Sequence, residues 1–201
     1  GKEILSLMLY EGHPYHQIPA GSVETVSGIT LDDVKAFYKE QMVQGNITIG
    51  LAGGYPADFP ARVTADFSGL PQSFTPRLSL PAQHMPQGLQ FLIAEKQTPA
   101  TAISMGFPVS ISRTSKDFFA LWIAGSHFGE HRQHVSHLYQ KIREQRVQNY
   151  GDYAYIEHFI QGRDKFPATN ICRLQQYFSI WIRPLANSNR HFVVRQPLRD
   201  A

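Results

Sequence analysis

Residues 126 to 134 read S-H-F-G-E-H-R-Q-H. Within them His127-x-x-Glu130-His131 places two imidazoles four residues apart, with a carboxylate between them. On a helix, residues i and i+4 share a face, so this pair can grip one Zn²⁺ while the glutamate takes a proton from a metal-bound water. That is the chemistry of zinc-dependent hydrolysis. Several features argue against it. Gly129 sits inside the motif, where it weakens a helix by ~1 kcal/mol relative to alanine. The polar run Arg132-Gln133-His134 follows directly. A catalytic zinc takes three protein ligands and the motif supplies two, so His134 or His137 would have to complete an adventitious site. Polar residues at a helix end are the plainer reading of the stretch.

Other candidates for chemistry are weaker. Gly50-Leu51-Ala52-Gly53-Gly54 lacks the glycine spacing and the following Gly-Lys-Ser of a phosphate-cradling loop. Cys172 is the only cysteine, which rules out an internal disulfide, and it has no thiol partner to activate it. Ser126 beside His127 has no positioned acid to make a triad. From Tyr177 to Ile182 the aromatics alternate at period two, as in a packed strand.

The 201 residues are 42% hydrophobic and 17% charged, which suits a folded globular chain. The net charge is +3 and the nineteen basic residues are scattered, so nucleic acid is not an expected partner. No apolar run approaches the ~20 residues of a membrane span. Both ends read as cut, because each falls inside a helix-like pattern.

The elements that must position any site alternate between helix and strand patterns. Thr30 caps L-D-D-V-K-A-F-Y-K-E-Q-M, with Asp33 completing a capping box and Leu31, Val34, Phe37, Tyr38 and Met42 on one face. I-T-I-G-L-A-G then alternates like a strand, and a helix is expected from Pro56 to Phe67. Residues 70 to 88 hold four prolines without periodicity and read as a linker. Beyond it, strands are expected at 89–94 and 100–108, and helices at 115–128 and 134–145. Extended stretches at 150–161 and 173–183 follow, with a last helix near Asn187. Helices and strands mixed without regular βαβ alternation predict an α+β fold, with helices on one face of a largely antiparallel sheet.

Three stretches together resemble the insulinase or pitrilysin-type zinc metallopeptidases, the family that includes mitochondrial processing peptidase. They are H-P-Y-H-Q-I-P-A-G-S-V-E-T-V-S-G-I-T-L-D-D-V-K-A-F-Y from His13, I-T-I-G-L-A-G-G-Y-P after it, and L-Y-Q-K-I-R-E-Q-R-V-Q-N-Y-G-D-Y-A-Y-I-E from Leu138. The resemblance implies a metallopeptidase-like α/β roll in two units. Residues 1–70 would be the tail of a first domain, 71–87 a proline-rich linker, and 88–201 most of a second, non-zinc domain. The zinc helix would precede Gly1, and the family's glutamate ligand lies too far from His131 to fall within Ala201. Zinc is therefore expected in the parent protein and not in this chain.

The resemblance also carries a substrate-binding arginine and tyrosine, seven residues apart, onto Arg143 and Tyr150. Arginine offers a fork of permanent donors and tyrosine a phenol, both suited to a peptide carbonyl that gains negative charge during attack. The family's Arg-Gly-Leu between them is Arg146-Val147-Gln148 here. The implied partners are a peptide or protein substrate and the zinc-bearing part or a partner subunit. This fragment would be inactive alone. An inactive structural subunit and a separate zinc hydrolase using His127, Glu130 and His131 remain the alternatives.

Overall fold

Gln176–Ala186, rich in aromatic and β-branched side chains and buried over most of its length, forms the long central strand, β3, of an antiparallel sheet ordered β1-β3-β2. β1 is Ala100–Val109 and β2 is Asp152–Tyr155. The structure is a computed structural model and describes residues 1–77, 79–130, 133–157, 172–187, 195, 198 and 199. No helix among these is long and apolar enough to cross a membrane.

The chain forms two units, 1–17 with 81–201 and, separately, 18–80. In the first unit the pleat of the sheet sorts the side chains by face. On one face Ile180, Ile182 and Leu185 of β3 and Ala154 of β2 form a buried core with Leu138 and Ile142, joined by Ile103, Met105 and Phe128. Fully burying each Leu or Ile contributes ~1.5–3 kcal/mol. Two helical segments cover this face: α5, Asp117–Gly129, and a π-helix, Tyr139–Glu144. On the opposite face Leu5 and Leu9 of α1, Lys2–Leu9, pack with Tyr10 and Tyr177. Gly106 of β1 lets α1 approach, since a Cβ there would lie 3.1 Å from Leu5 Cδ2 and 2.4 Å from the Phe178 carbonyl.

The glycine inside His-x-x-Glu-His has a packing reason. A Cβ on Gly129 would lie 2.7 Å from Leu138 Cδ1 and 3.1 Å from the Ala154 backbone nitrogen. With Gly125, one turn earlier and also buried, it lets α5 lie close against β2. Gly129→Ala should therefore destabilise the fold by ~1–3 kcal/mol, although alanine is the better helix former. Urea unfolding checks this, and an unchanged or higher midpoint would contradict it.

The second unit contains α2, Val23–Ser27, α3, Leu31–Gln41, and α4, Phe59–Phe67. Thr30 and Asp33 form the expected capping box, and Ser22 with Thr25 forms another at α2. The apolar stripe of α3 is exposed: Leu31, Val34, Phe37 and Tyr38 are each more than half accessible. α4 begins at Phe59, with Pro60 rather than Pro56 in its first turn. The 71–75 segment is tied down, with Gln44 and Gly45 donating backbone N–H to Pro71 and Ser73.

Several expected elements differ from the structure. I-T-I-G-L-A-G and residues 89–94 are irregular, because among the described residues no strand pairs with either and unpaired strand backbone gains no ladder. The helix expected from His134 is a shorter π-helix from Tyr139. Most of the helix expected near Asn187, and residues 158–161 at the end of the 150–161 stretch, lie outside the described residues.

Candidate functional site

α5 ends at Gly129, and Glu130 already has extended ψ of 146°. The helical frame that would put positions 127 and 131 on one face thus stops inside the motif. His127 is exposed, and Glu130 accepts a hydrogen bond from Ser126 Oγ. His131 lies outside the described residues. His134 sits edge-on to Tyr139 at 4.9 Å, and His137 stacks on Phe128 at 6.0 Å. Among the described residues no group of three or more His, Cys, Asp or Glu could hold a metal ion. The described donors do not fit a zinc centre.

Arg143 and Tyr150 are brought together. Both line an open cleft of about 450 Å³, with Pro99 and Ala100 at the start of β1 and Pro184 and Ala186 at the end of β3. The Arg143 guanidinium lies 4.4 Å from the centre of the Tyr150 ring and 4.8 Å from that of Tyr139. Its Nη1 donates to the Tyr139 hydroxyl and, at 2.7 Å, to Glu144. The π-helix makes this cage possible, because positions 139 and 143 share its face. Desolvation opposes the guanidinium's charge, but the Tyr150 phenol, Tyr139 and Glu144 outweigh it and hold the pKa above that of ordinary arginine. The buried Nε has no hydrogen-bond partner among the described residues. Tyr139, 8% exposed, is a residue that sequence reasoning missed. Its i, i+4 spacing from Arg143 was the signal available.

The turn joining the pair is strained at one place. Val147 has φ of 53°, the left-handed region natural to a residue just past a helix end, and its N–H donates to the Arg143 carbonyl at 2.8 Å. This is where the resembling family carries glycine. A left-handed non-glycine residue costs ~1–2 kcal/mol, while glycine gives back roughly 0.4–1 kcal/mol through the unfolded chain. Val147 is 84% exposed and loses no packing on truncation. Val147→Gly should raise stability by about 0.5–1 kcal/mol, and a lower unfolding midpoint would contradict that.

Below the turn lies a second missed residue. Asp152 opens β2 opposite Ile182, on the core face, and is fully buried. Among the described residues neither carboxylate oxygen has a hydrogen-bond partner. Burial pushes its pKa up to about 7, and the nearby Asn149 amide, outside hydrogen-bond geometry, pulls weakly the other way.

Fold and cleft together define an α+β domain with a donor-bearing groove. The family is shown directly: residues 28–164, more than half of the chain, match the model described as the peptidase M16 inactive domain, and the chain belongs to that family. It is thus a non-catalytic domain of the insulinase-like peptidases. Its fold is similar to the crystal structure of a peptidase M16 inactive domain from Pseudomonas fluorescens, with a TM-score of 0.75 and 20% identity over 99% of this chain and 44% of that one. It is also similar to a protease from Helicobacter pylori, with a TM-score of 0.65 and 16% identity over 98% and 45%. The chain spans less than half the length of either. No curated protein matches it.

Proposed function

We propose that this chain is the substrate-binding part of a zinc-dependent metalloendopeptidase, holding the scissile peptide while a zinc-bearing part outside it supplies the attacking water. The observation that carries this reading is the Arg143 guanidinium, fixed between the rings of Tyr139 and Tyr150 at the wall of an open cleft. A preplaced donor needs no reorganisation when charge develops on the carbonyl oxygen, which is what makes such groups effective. On this reading residues 1–70 are the tail of one roll, of which 1–17 pack with the following unit, 71–87 are the connection, and 88–201 most of the next. The exposed α3 stripe would be covered by the zinc-bearing part.

Two experiments separate this from its rivals. The chain alone, with added zinc, should cleave an unstructured peptide no faster than background. Cleavage abolished by chelators and by Glu130→Gln would instead establish the separate zinc hydrolase. Activity restored on adding the zinc-bearing part supports the enzyme reading, and peptide binding without cleavage in that assembly favours the inactive partner subunit.

A further inference from the structure

The ten residues from Arg143 to Asp152 hold an unusual share of buried polar atoms without partners among the described residues: Arg143 Nε, Gln148 Oε1, both amide atoms of Asn149 and both carboxyl oxygens of Asp152. Buried polar groups are normally paired, so such a cluster needs an explanation. Asn149 and Asp152 flank Tyr150 and Gly151, and they are 5% and 0% exposed. Much of the intervening backbone is fixed. The Arg183 N–H donates to the Gly151 carbonyl at 3.0 Å, and a Cβ on Gly151 would lie 2.3 Å from the Arg183 carbonyl. Tyr153 Oη donates to the Tyr150 carbonyl at 3.1 Å. The exposed Tyr150 side chain lies against Arg143, and the residue before it in the chain, Asn149, is buried.

We propose that Asp152 is a positioning residue for the cleft: acting through Asn149, its buried carboxyl group sets where the turn holds the Tyr150 phenol. The inference rests on the carbonyl-binding reading above and deepens it. The neutral acid is tolerated beneath Ile182 without partners. The carboxylate is not, because a buried charge must gather donors or admit water. The donor acting on this carboxyl group among the described residues is the Asn149 amide, so ionisation draws Asn149 out of its present place and loosens Tyr150. Because the Asp152 pKa is pushed up to about 7, this change falls near neutrality. The elements packed against β2 carry other titratable or charged groups: Tyr139, Lys141, Arg143 and Glu144 on the π-helix, Asp117 and His127 on α5, and Tyr177 and Arg183 on β3. None of them contributes to the Asp152 displacement, whose causes are burial and Asn149. His134, against Tyr139, is a further titratable group tied to the aromatic cage, so a variant at Asp152 itself is required as control.

The test follows the Tyr150 ring resonances of this chain by NMR from pH 5.5 to 8.5, assigned by their loss in Tyr150→Phe. They should shift with a midpoint near 7 in the wild type, stay flat in Asp152→Asn, and lose most of the shift in Asn149→Ala. Affinity for an extended unstructured peptide should fall about fivefold or more between pH 6 and 8 in the wild type, and stay level in Asp152→Asn. Equal titration of Tyr150 in wild type and Asp152→Asn overturns the proposal, as does full titration in Asn149→Ala. A Tyr150 shift that depends on Asp152, with no peptide bound at any pH, upholds the coupling and defeats the carbonyl-binding reading instead.

Discussion

Tyr150→Phe in the full-length protein should lower turnover by about 10²–10³, the usual effect of removing one donor from a developing oxyanion. The substitution deletes only the phenol oxygen. Tyr150 is 73% exposed, so the fold has little to lose. Arg143→Lys should be at least as damaging to turnover. Lysine offers a point charge where arginine offers a planar fork, and it cannot lie flat between the Tyr139 and Tyr150 rings. Both variants should keep an unfolding midpoint close to wild type. Turnover and stability measured together decide the matter: near wild-type turnover in both, or loss of turnover explained by unfolding, would remove Arg143 and Tyr150 from the chemistry.

The second large effect is on stability against pH. The folded chain keeps the Asp152 proton up to about pH 7, whereas the unfolded chain releases it near the ordinary 3.8. Between those values the unfolded state binds fewer protons, so stability falls as pH rises and then levels above 7. At 1.36 kcal/mol for each pH unit, displacement from 3.8 to about 7 amounts to about 4 kcal/mol, and relaxation with water entry should reduce this to roughly 2–4 kcal/mol. Asp152→Asn removes the titration while keeping the shape. Urea unfolding at pH 5 and pH 8 should therefore show the variant gaining on the wild type at the higher pH. Parallel pH profiles for the two proteins would show that Asp152 carries no such burden.

Much of this was legible in the residues, though unevenly. Local signals transferred well, as the capping box at Thr30 and the strands around Ala100 and Gln176 show, because each is set by a few neighbouring side chains. The strand-like run after Asn46 did not become a strand, since alternation specifies a face and a strand also needs a neighbour to pair with. The Arg143–Tyr150 spacing was visible only through family resemblance, but its setting was not: the π-helix and the left-handed Val147 depend on the surrounding fold. His127-x-x-Glu130-His131 shows the opposite failing. The letters suit zinc, and the helix that would align them ends at Gly129, where α5 is pressed against Ala154. Asp152 was readable in principle. In Y-G-D-Y-A-Y-I it shares a face with Ala154 and Ile156, so a lone carboxyl stood on an apolar stripe.

The central claim, that this domain holds the scissile carbonyl and leaves the metal to another part, is tested most directly by a crystal structure of the full-length protein with an uncleaved peptide bound. The account predicts one peptide carbonyl oxygen within about 2.7–3.1 Å of donors from both Arg143 and Tyr150. A peptide seated elsewhere, with the Arg143–Tyr150 cleft filled by solvent alone, would contradict it.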